Sequence, residues 1–304
     1  MSFDLEFNWV NGCPHSTGLI RAESAHFKVF EQSIEPTGSG EHAYLRICKK
    51  ATNTHWVAEK IAEVAGVDVK DVGFGGRKDR YSVSEQAFTC YLPGRSDPDW
   101  TRLDGPDVRV LQVARTQKKL RKGDLLGNAF EIYLTQVSER LDERLHAVIQ
   151  GSVPNYFGEQ RFGRHCRNLS TAQELVKRPH GRFHARDMIL SAMRAYLFNR
   201  FLSNHVENHR DIPPDLSAVG PLYGRSRDPQ GGEAELPDEL QEWVATLRQL
   251  RLKAGSRKLW LQPLEFDWHR DDNNYNLRFA LPAGSYATSV LRELLRYKDE
   301  RRGG

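Results

Sequence analysis

No apolar run in the 304-residue sequence approaches the roughly 20 residues needed to cross a bilayer, so no membrane span is expected. Cysteine is sparse. The four cysteines stand at 13, 48, 90 and 166, too dispersed for a disulfide framework or a C-x-x-C metal site, and reduced thiols are expected. Met1 to Val10 has no basic segment followed by an apolar stretch, which excludes a secretory signal and points to a cytoplasmic location. The spacing G-x-x-x-x-G-K-[ST] is missing, and Gly73 and Gly75 lack a third glycine at the dinucleotide offset, so no nucleotide cofactor is implied. The eleven histidines are scattered without an H-x-E and P-C-x-x-C pair, which disfavours zinc-dependent base chemistry. No repeat of solenoid length occurs.

What is present is a composition of 39% hydrophobic and 28% charged residues, that of a soluble globular protein, long enough for one elaborated domain or two. The net charge of +4 says little about partners, but its clustering says more. Lys118, Lys119, Arg121 and Lys122 crowd one stretch, Arg161, Arg164 and Arg167 recur every third residue, and Arg178, Arg182 and Arg186 every fourth. Such stripes suit phosphate contacts, although each reads equally well as solvated surface offset by acidic neighbours.

Alternating apolar and polar residues predict half-buried strands at 43–48, 108–113 and 129–134, with further strands at 258–266 and 275–280. Helical spacing of Val57, Ile61, Val64 and Ala65 predicts a helix from Thr54 to Ala65, with Asn53 or Thr54 as N-cap and Gly66 as stop. Further helices are expected at 139–150, 186–205, 238–250 and 286–298. Residues 211–239 are polar and rich in Pro, Gly and Asp, which predicts an irregular connection, and the basic tail Arg301 to Gly304 is expected to be disordered.

The segment Asp71-Val-Gly-Phe-Gly-Gly-Arg-Lys-Asp79-Arg-Tyr-Ser-Val-Ser-Glu-Gln86 sets three glycines before a Lys-Asp pair. Glycine there permits a tight turn or close approach of a ligand to the backbone. Taken alone, Lys78 and Asp79 read as an exposed ion pair in a turn.

Together with blocks along the whole chain, this segment resembles the pseudouridine synthase D family of tRNA-modifying enzymes. The blocks include His15-Ser-Thr-Gly18, Phe27-Lys-Val-Phe-Glu31, Gly76-Arg-Lys-Asp79, Lys119-Leu-Arg-Lys-Gly123, Gly127-Asn-Ala-Phe130, Pro154-Asn-Tyr-Phe-Gly158 with Gln160-Arg-Phe-Gly163, and Leu281-Pro-Ala-Gly-Ser-Tyr-Ala-Thr-Ser-Val290. The resemblance implies conversion of uridine to pseudouridine in tRNA, with uridine 13 of the D arm as the precedent. It implies that Asp79 is the essential aspartate, that Asn128 lies near it, that Phe130 stands against the target base, and that Phe27 belongs to the pocket. Two departures stand out: Arg21 occupies a position where family members carry lysine, and the region between Asn204 and Lys258 is shorter than usual.

The implied reaction breaks the bond from C1′ to N1, turns the uracil and rebuilds the link from C1′ to C5, so neither metal nor organic cofactor is expected. An aspartate, with a reference pKa of about 3.9, is ionised at neutral pH and can attack a carbon or remove a ribose proton. Lys78 or Arg21 can hold that carboxylate or a phosphate, or serve only as surface charge. Extruding a base costs a few kcal/mol, and stacking on an aromatic ring returns about 1 to 3 kcal/mol, which suits Phe130. By alternation alone, Phe130 shares a face with Ile132 and Leu134 and reads as core. Asn128 after Gly127 reads as a turn residue.

The pattern and the resemblance together predict an α/β (α+β) fold, with a largely antiparallel mixed sheet in a catalytic domain over 1–151 and 257–304, interrupted by a more helical insertion at 152–256. Arg161, Arg164, Arg167, Lys119 and Arg121 are the candidate RNA contacts, tRNA the expected partner, and a monomer the expected state. Two rivals stay open: a non-catalytic RNA-binding or chaperone module, and a nucleoside glycosidase pairing Asp79 with Glu85 or Glu31.

Overall fold

The computed structural model describes residues 3–209, 212–228 and 230–300. The tail Arg301 to Gly304, with Asp211 and Pro229 of the polar connection, lies outside the described residues. In chain order the strands are Thr17–Ile20 (β1), Phe27–Ser33 (β2), His42–Lys50 (β3), Val72–Phe74 (β4), Val83–Tyr91 (β5), Val108–Thr116 (β6), Leu125–Leu134 (β7), Val153–Pro154 (β8), Val219–Leu222 (β9), Gly255–Lys258 (β10), Trp260–Leu261 (β11), Leu264–Asp271 (β12), Asn274–Pro282 (β13) and Arg296–Asp299 (β14). The helices are Thr54–Ala65 (α1), Asp142–Gln150 (α2), Arg167–Lys177 (α3), Arg186–Asn208 (α4), Asp238–Gln249 (α5) and Ala287–Leu294 (α6). The fold is the expected mixed α/β architecture.

The chain divides into two compact units. One comprises Ser16–Arg140, Leu264–Gly284 and Tyr297–Gly304. Its eight-stranded sheet runs β12-β13-β7-β2-β5-β3-β6, with β4 added on β5. Only β2 and β5 pair in parallel; the other neighbours are antiparallel. Helix α1 buries Val57, Ala58, Ile61, Ala62 and Ala65 in one core with Leu45, Ile47 and Phe88 of β3 and β5. Its ends follow the sequence: the Asn53 side chain accepts from the His55 N–H at 2.8 Å, and Gly66 takes the left-handed conformation at φ 61°, which costs glycine nothing.

The other unit comprises Met1–His15, Leu141–Pro263 and Ser285–Arg296. Helices α3, α4 and α5 enclose a core that includes Leu169, Met193, Phe198 and Trp243. The 152–256 stretch lies inside this unit, which also takes in the first fifteen residues, α2 and α6. Arg144 ties the N-terminal segment down, donating through Nη2 to the carbonyls of Asn11, Gly12 and Cys13. Among the described residues no helix is long and apolar enough to cross a membrane.

Three sequence-based element assignments need correction. The helix expected at 286–298 ends at Leu294, because Leu295 is extended at φ −157° and the next residues pair with β1 as β14. The strand expected at 258–266 is instead β10, β11 and the start of β12, separated near Pro263, which has no N–H for a ladder. The helix expected at 139–150 starts only at Asp142, with the Leu141 carbonyl accepting the first helical bond, from the Leu145 N–H at 2.8 Å. The connection at 211–239 also contains the short strand β9.

Ile61 is fully buried against the sheet, so Ile61→Ala is expected to lower unfolding free energy by about 2 to 5 kcal/mol. Equilibrium urea denaturation followed by circular dichroism measures it.

Candidate active site

Residues 75–82 form no strand or helix between β4 and β5, so their backbone is held by side chains. Gln86 of β5 donates through Nε2 to the Gly76 carbonyl at 2.6 Å, and the Thr54 hydroxyl at the start of α1 accepts from the Lys78 N–H at 3.1 Å while donating to Gln86 Oε1 at 3.0 Å. Such a satisfied buried network rigidifies the loop. The preceding glycine serves the chain itself, because a Cβ on Gly73 would sit 2.5 Å from the Leu120 carbonyl oxygen. Gly75 and Gly76 adopt no left-handed conformation.

Lys78 and Asp79 are not the exposed pair that their adjacency suggests. The Lys78 ammonium binds Glu31 Oε2 of β2 at 2.6 Å and Asn128 Oδ1 of β7 at 2.5 Å, and the side chains of Lys78 and Glu31 are 4% and 1% exposed. Burial lowers the Lys78 pKa, with the Glu31 carboxylate opposing that shift. Asn128 is therefore a strand residue fixing the lysine beside Asp79, not a turn residue.

The Asp79 carboxylate faces a different cation. Its Oδ2 lies 3.3 Å from Arg21 Nη2, its Oδ1 accepts the Tyr81 N–H at 3.1 Å, and its side chain remains 17% exposed. Arg21 follows β1 with a left-handed φ of 57°, a conformation that costs a non-glycine residue about 1 to 2 kcal/mol and that clusters at functional sites. Its second arm, Nη1, reaches Asp299 Oδ2 of β14 at 3.0 Å, and its Cζ lies 3.6 Å from the Phe27 ring centroid. One planar fork thus bridges two carboxylates while stacking on a ring, a task that a lysine's point charge does not perform.

Phe27 and Phe130 sit on neighbouring strands β2 and β7 with ring centroids 6.2 Å apart, and Phe279 of β13 continues the row 5.5 Å beyond Phe130. Phe130 is buried, as its alternation with Ile132 and Leu134 predicts, and it also touches the ring that carries Arg21.

The basic stripes fare unevenly. Lys119 donates to the Lys70 carbonyl, while Arg121 is exposed. Arg161 is half-buried, bonding the Tyr286 hydroxyl at 2.7 Å and Ser191 Oγ at 3.3 Å, whereas Arg164 and Arg167 are exposed. Their three-residue spacing is not one helical face, because Gly163, His165 and Cys166 all have positive φ. Arg186 spends its guanidinium on the carbonyls of Pro179 and Gly181. Glu31 and Glu85, the carboxylates a glycosidase would pair with Asp79, are engaged by Lys78 and Arg46. Sequence reading missed Asp299, which reaches the site across 278 residues with no local signal, and Lys49, a buried lysine of β3. Among the described residues no group of three or more His, Cys, Asp or Glu could hold a metal ion.

The profile of the family described as tRNA pseudouridine synthase D matches residues 7–185 and 233–294. The tRNA pseudouridine synthase D of Aeromonas hydrophila is 35% identical over 336 residues, covering 97% of this chain and 95% of its own length. That of Cellvibrio japonicus is 38% identical over 315 residues, covering 96% and 94%. The crystal structure of a putative tRNA pseudouridine synthase D from Methanosarcina mazei superposes with a TM-score of 0.64 over 99% of this chain and 98% of that one, at 18% sequence identity, a likeness of fold.

Lys78→Met would leave the Glu31 carboxylate buried without its cation, and is expected to cost about 3 to 5 kcal/mol of unfolding free energy. Replacing both residues, Glu31→Leu with Lys78→Met, should recover much of that loss in the same urea titration.

Proposed function

We propose, from the premise that the chain belongs to the tRNA pseudouridine synthase D family, that it isomerises a uridine of tRNA to pseudouridine with Asp79 as the reacting carboxylate. The observation that carries this reading is the setting of that carboxylate. It is fixed by a buried arginine and a backbone N–H, yet keeps part of its surface open to a reactant. Its partner Arg21 is held in turn by Asp299 and Phe27, so little reorganisation is needed when charge shifts during the reaction.

The chemistry is an internal exchange of bonds. The C1′–N1 bond breaks, the uracil turns, the C1′–C5 bond forms, C5 loses its proton and N1 gains one, with no change of oxidation state. Asp79 acts by attack on a carbon or by removing a ribose proton, and its position beside Arg21 serves either route. The target base must leave its stack to arrive there, and Phe27 with Phe130 forms the apolar wall that receives it. Arg21 holds Asp79, while Lys78 and Asn128 set the main chain beside it. Arg164, Arg167, Lys119 and Arg121 contact phosphate, and Arg161 helps to place that segment. The target is uridine 13 in the D arm, the protein acts in the cytoplasm as a monomer, and residues 152–256 are the shortened family-specific insertion.

Incubating the protein with a tRNA transcript lacking modifications should yield pseudouridine at one position and no free uracil, and Asp79→Asn should abolish that gain. Transcripts left unmodified by the wild type would favour a binding module, and released uracil would favour a glycosidase. Charge reversal at Arg164 and Arg167 together should weaken tRNA binding and flatten its salt dependence, by a slope of about 0.7 to 0.9 for each phosphate no longer neutralised, as filter binding across a salt series measures.

A further inference from the structure

Along β3 the residues of the inward face, by the period of two, are Ala43, Leu45, Ile47 and Lys49, and each is fully buried. A lysine in that series carries a heavy desolvation cost, so its ammonium must be satisfied locally. It donates to the Thr52 carbonyl at 2.7 Å and to the Asp79 carbonyl at 3.4 Å. The same Asp79 carbonyl accepts from Ser82 Oγ at 2.9 Å, and Ser82 shares a hydrogen bond of 2.7 Å with buried Ser84, the residue that faces Lys49 across the β3–β5 ladder. The peptide oxygen of the residue that presents the carboxylate to Arg21 is therefore gripped from the sheet side by an ammonium and a hydroxyl.

We propose that Lys49 is a positioning residue for pseudouridine formation: its buried ammonium, with Ser82, fixes the main chain of Asp79 and thereby the direction in which the carboxylate projects. This rests on the reading of Asp79 given above. A carboxylate that reacts within one favourable geometry is sensitive to displacement of its own backbone.

The anchor is also titratable. Burial lowers the Lys49 pKa to about 8; the Asp79 charge opposes the shift, Lys78 adds to it, and the neighbouring Cys48 opposes it. Cys48 is itself raised by burial and by Glu85, and lowered by Lys49 and Arg109. As pH rises through about 8, the ammonium becomes an amine with a weaker hold on the two carbonyls, and activity should fall. Stability moves the other way. The folded-state pKa lies below the unfolded value of 10.5, so between the two the unfolded chain binds the extra proton and this group's contribution to stability rises with pH.

The test measures kcat and KM on unmodified tRNA, and thermal melting, over one neutral-to-alkaline series for the wild type, Lys49→Arg and Lys49→Met. Wild-type kcat should fall with a midpoint near 8 while this group's stability term rises. Lys49→Arg, whose guanidinium stays charged, should keep most of the activity and lose the alkaline limb. Lys49→Met should lose kcat on the order of 100-fold at little-changed KM, and its amides at 80–82 should exchange hydrogen faster. Wild-type kcat that holds constant through this range, an alkaline limb retained in Lys49→Arg, or a folded Lys49→Met with wild-type kcat would each overturn the proposal. If the wild type forms no pseudouridine at all, the assigned function fails; unchanged exchange at 80–82 in Lys49→Met would then still show that Lys49 does not hold the loop.

Discussion

Buried positive charge holds the segment that carries Asp79. Residues 75–82 make no strand or helix, and three cations grip them from different sides. Arg21 takes the Asp79 carboxylate, Lys78 ties its own backbone position to Glu31 and Asn128, and Lys49 takes the Asp79 carbonyl. A hydrogen bond to a charged group is worth roughly twice one between neutral groups, and it weighs more where water is excluded. The loop is thereby tied down by side chains rather than by a strand ladder of its own. The sheet supplies Lys49 from β3 and, from the adjacent strands β2 and β7, the Glu31 and Asn128 partners of Lys78.

Much of the frame could be read from sequence, for reasons that are local. Helix α1 runs from Thr54 to Ala65 as its apolar spacing says, because an Asn53 cap and a left-handed Gly66 act within a turn of their own helix. Strand β7 shows alternation because one of its faces is more covered than the other, whereas β6, predicted from the same signal, pairs with a register shift and leaves Leu111 and Val113 exposed. Strand β5 shows no alternation. Its residues from Gln86 to Cys90 are all buried, with β3 along one edge and β4 along the other at Phe88 to Cys90, and a strand covered on both faces has no polar face to mark its period. The β14 strand escaped notice for another reason: its pairing with β1 joins the two ends of the chain, and an apolar stripe continuing from α6 looks helical until that partner is known.

The site divides in the same way. The family resemblance points to Asp79, Phe27, Asn128 and Phe130, with Arg21 as a departure from its pattern and Lys78 as Asp79's neighbour, and the structure gathers them in one unit. Asp299 had no such signal, because only the fold sets a distant acid against Arg21. Lys49 did have one: a lysine continuing the series Ala43, Leu45, Ile47 is an exception to the rule that lysine is almost never fully buried, and such exceptions mark function more often than packing. The arginines at 161, 164 and 167 do not share one regular helical face, since Gly163, His165 and Cys166 all have positive φ.

The choice of arginine at position 21 follows from Asp299. A lysine facing Asp79 and Asp299 would offer one compact charge to two carboxylates. The guanidinium instead gives each acid its own nitrogen and leaves its flat face to Phe27. That cation is 5% exposed, so its desolvation has been met once, on folding, by partners already in place. An extruded uridine costs a few kcal/mol, and a site that had to assemble around it would add the entropy of ordering each group, about 1 to 2 kcal/mol for every backbone residue fixed. With Arg21, Lys49 and Lys78 already held by partners within the fold, the side chains around Asp79 would add little ordering cost to the binding of any substrate.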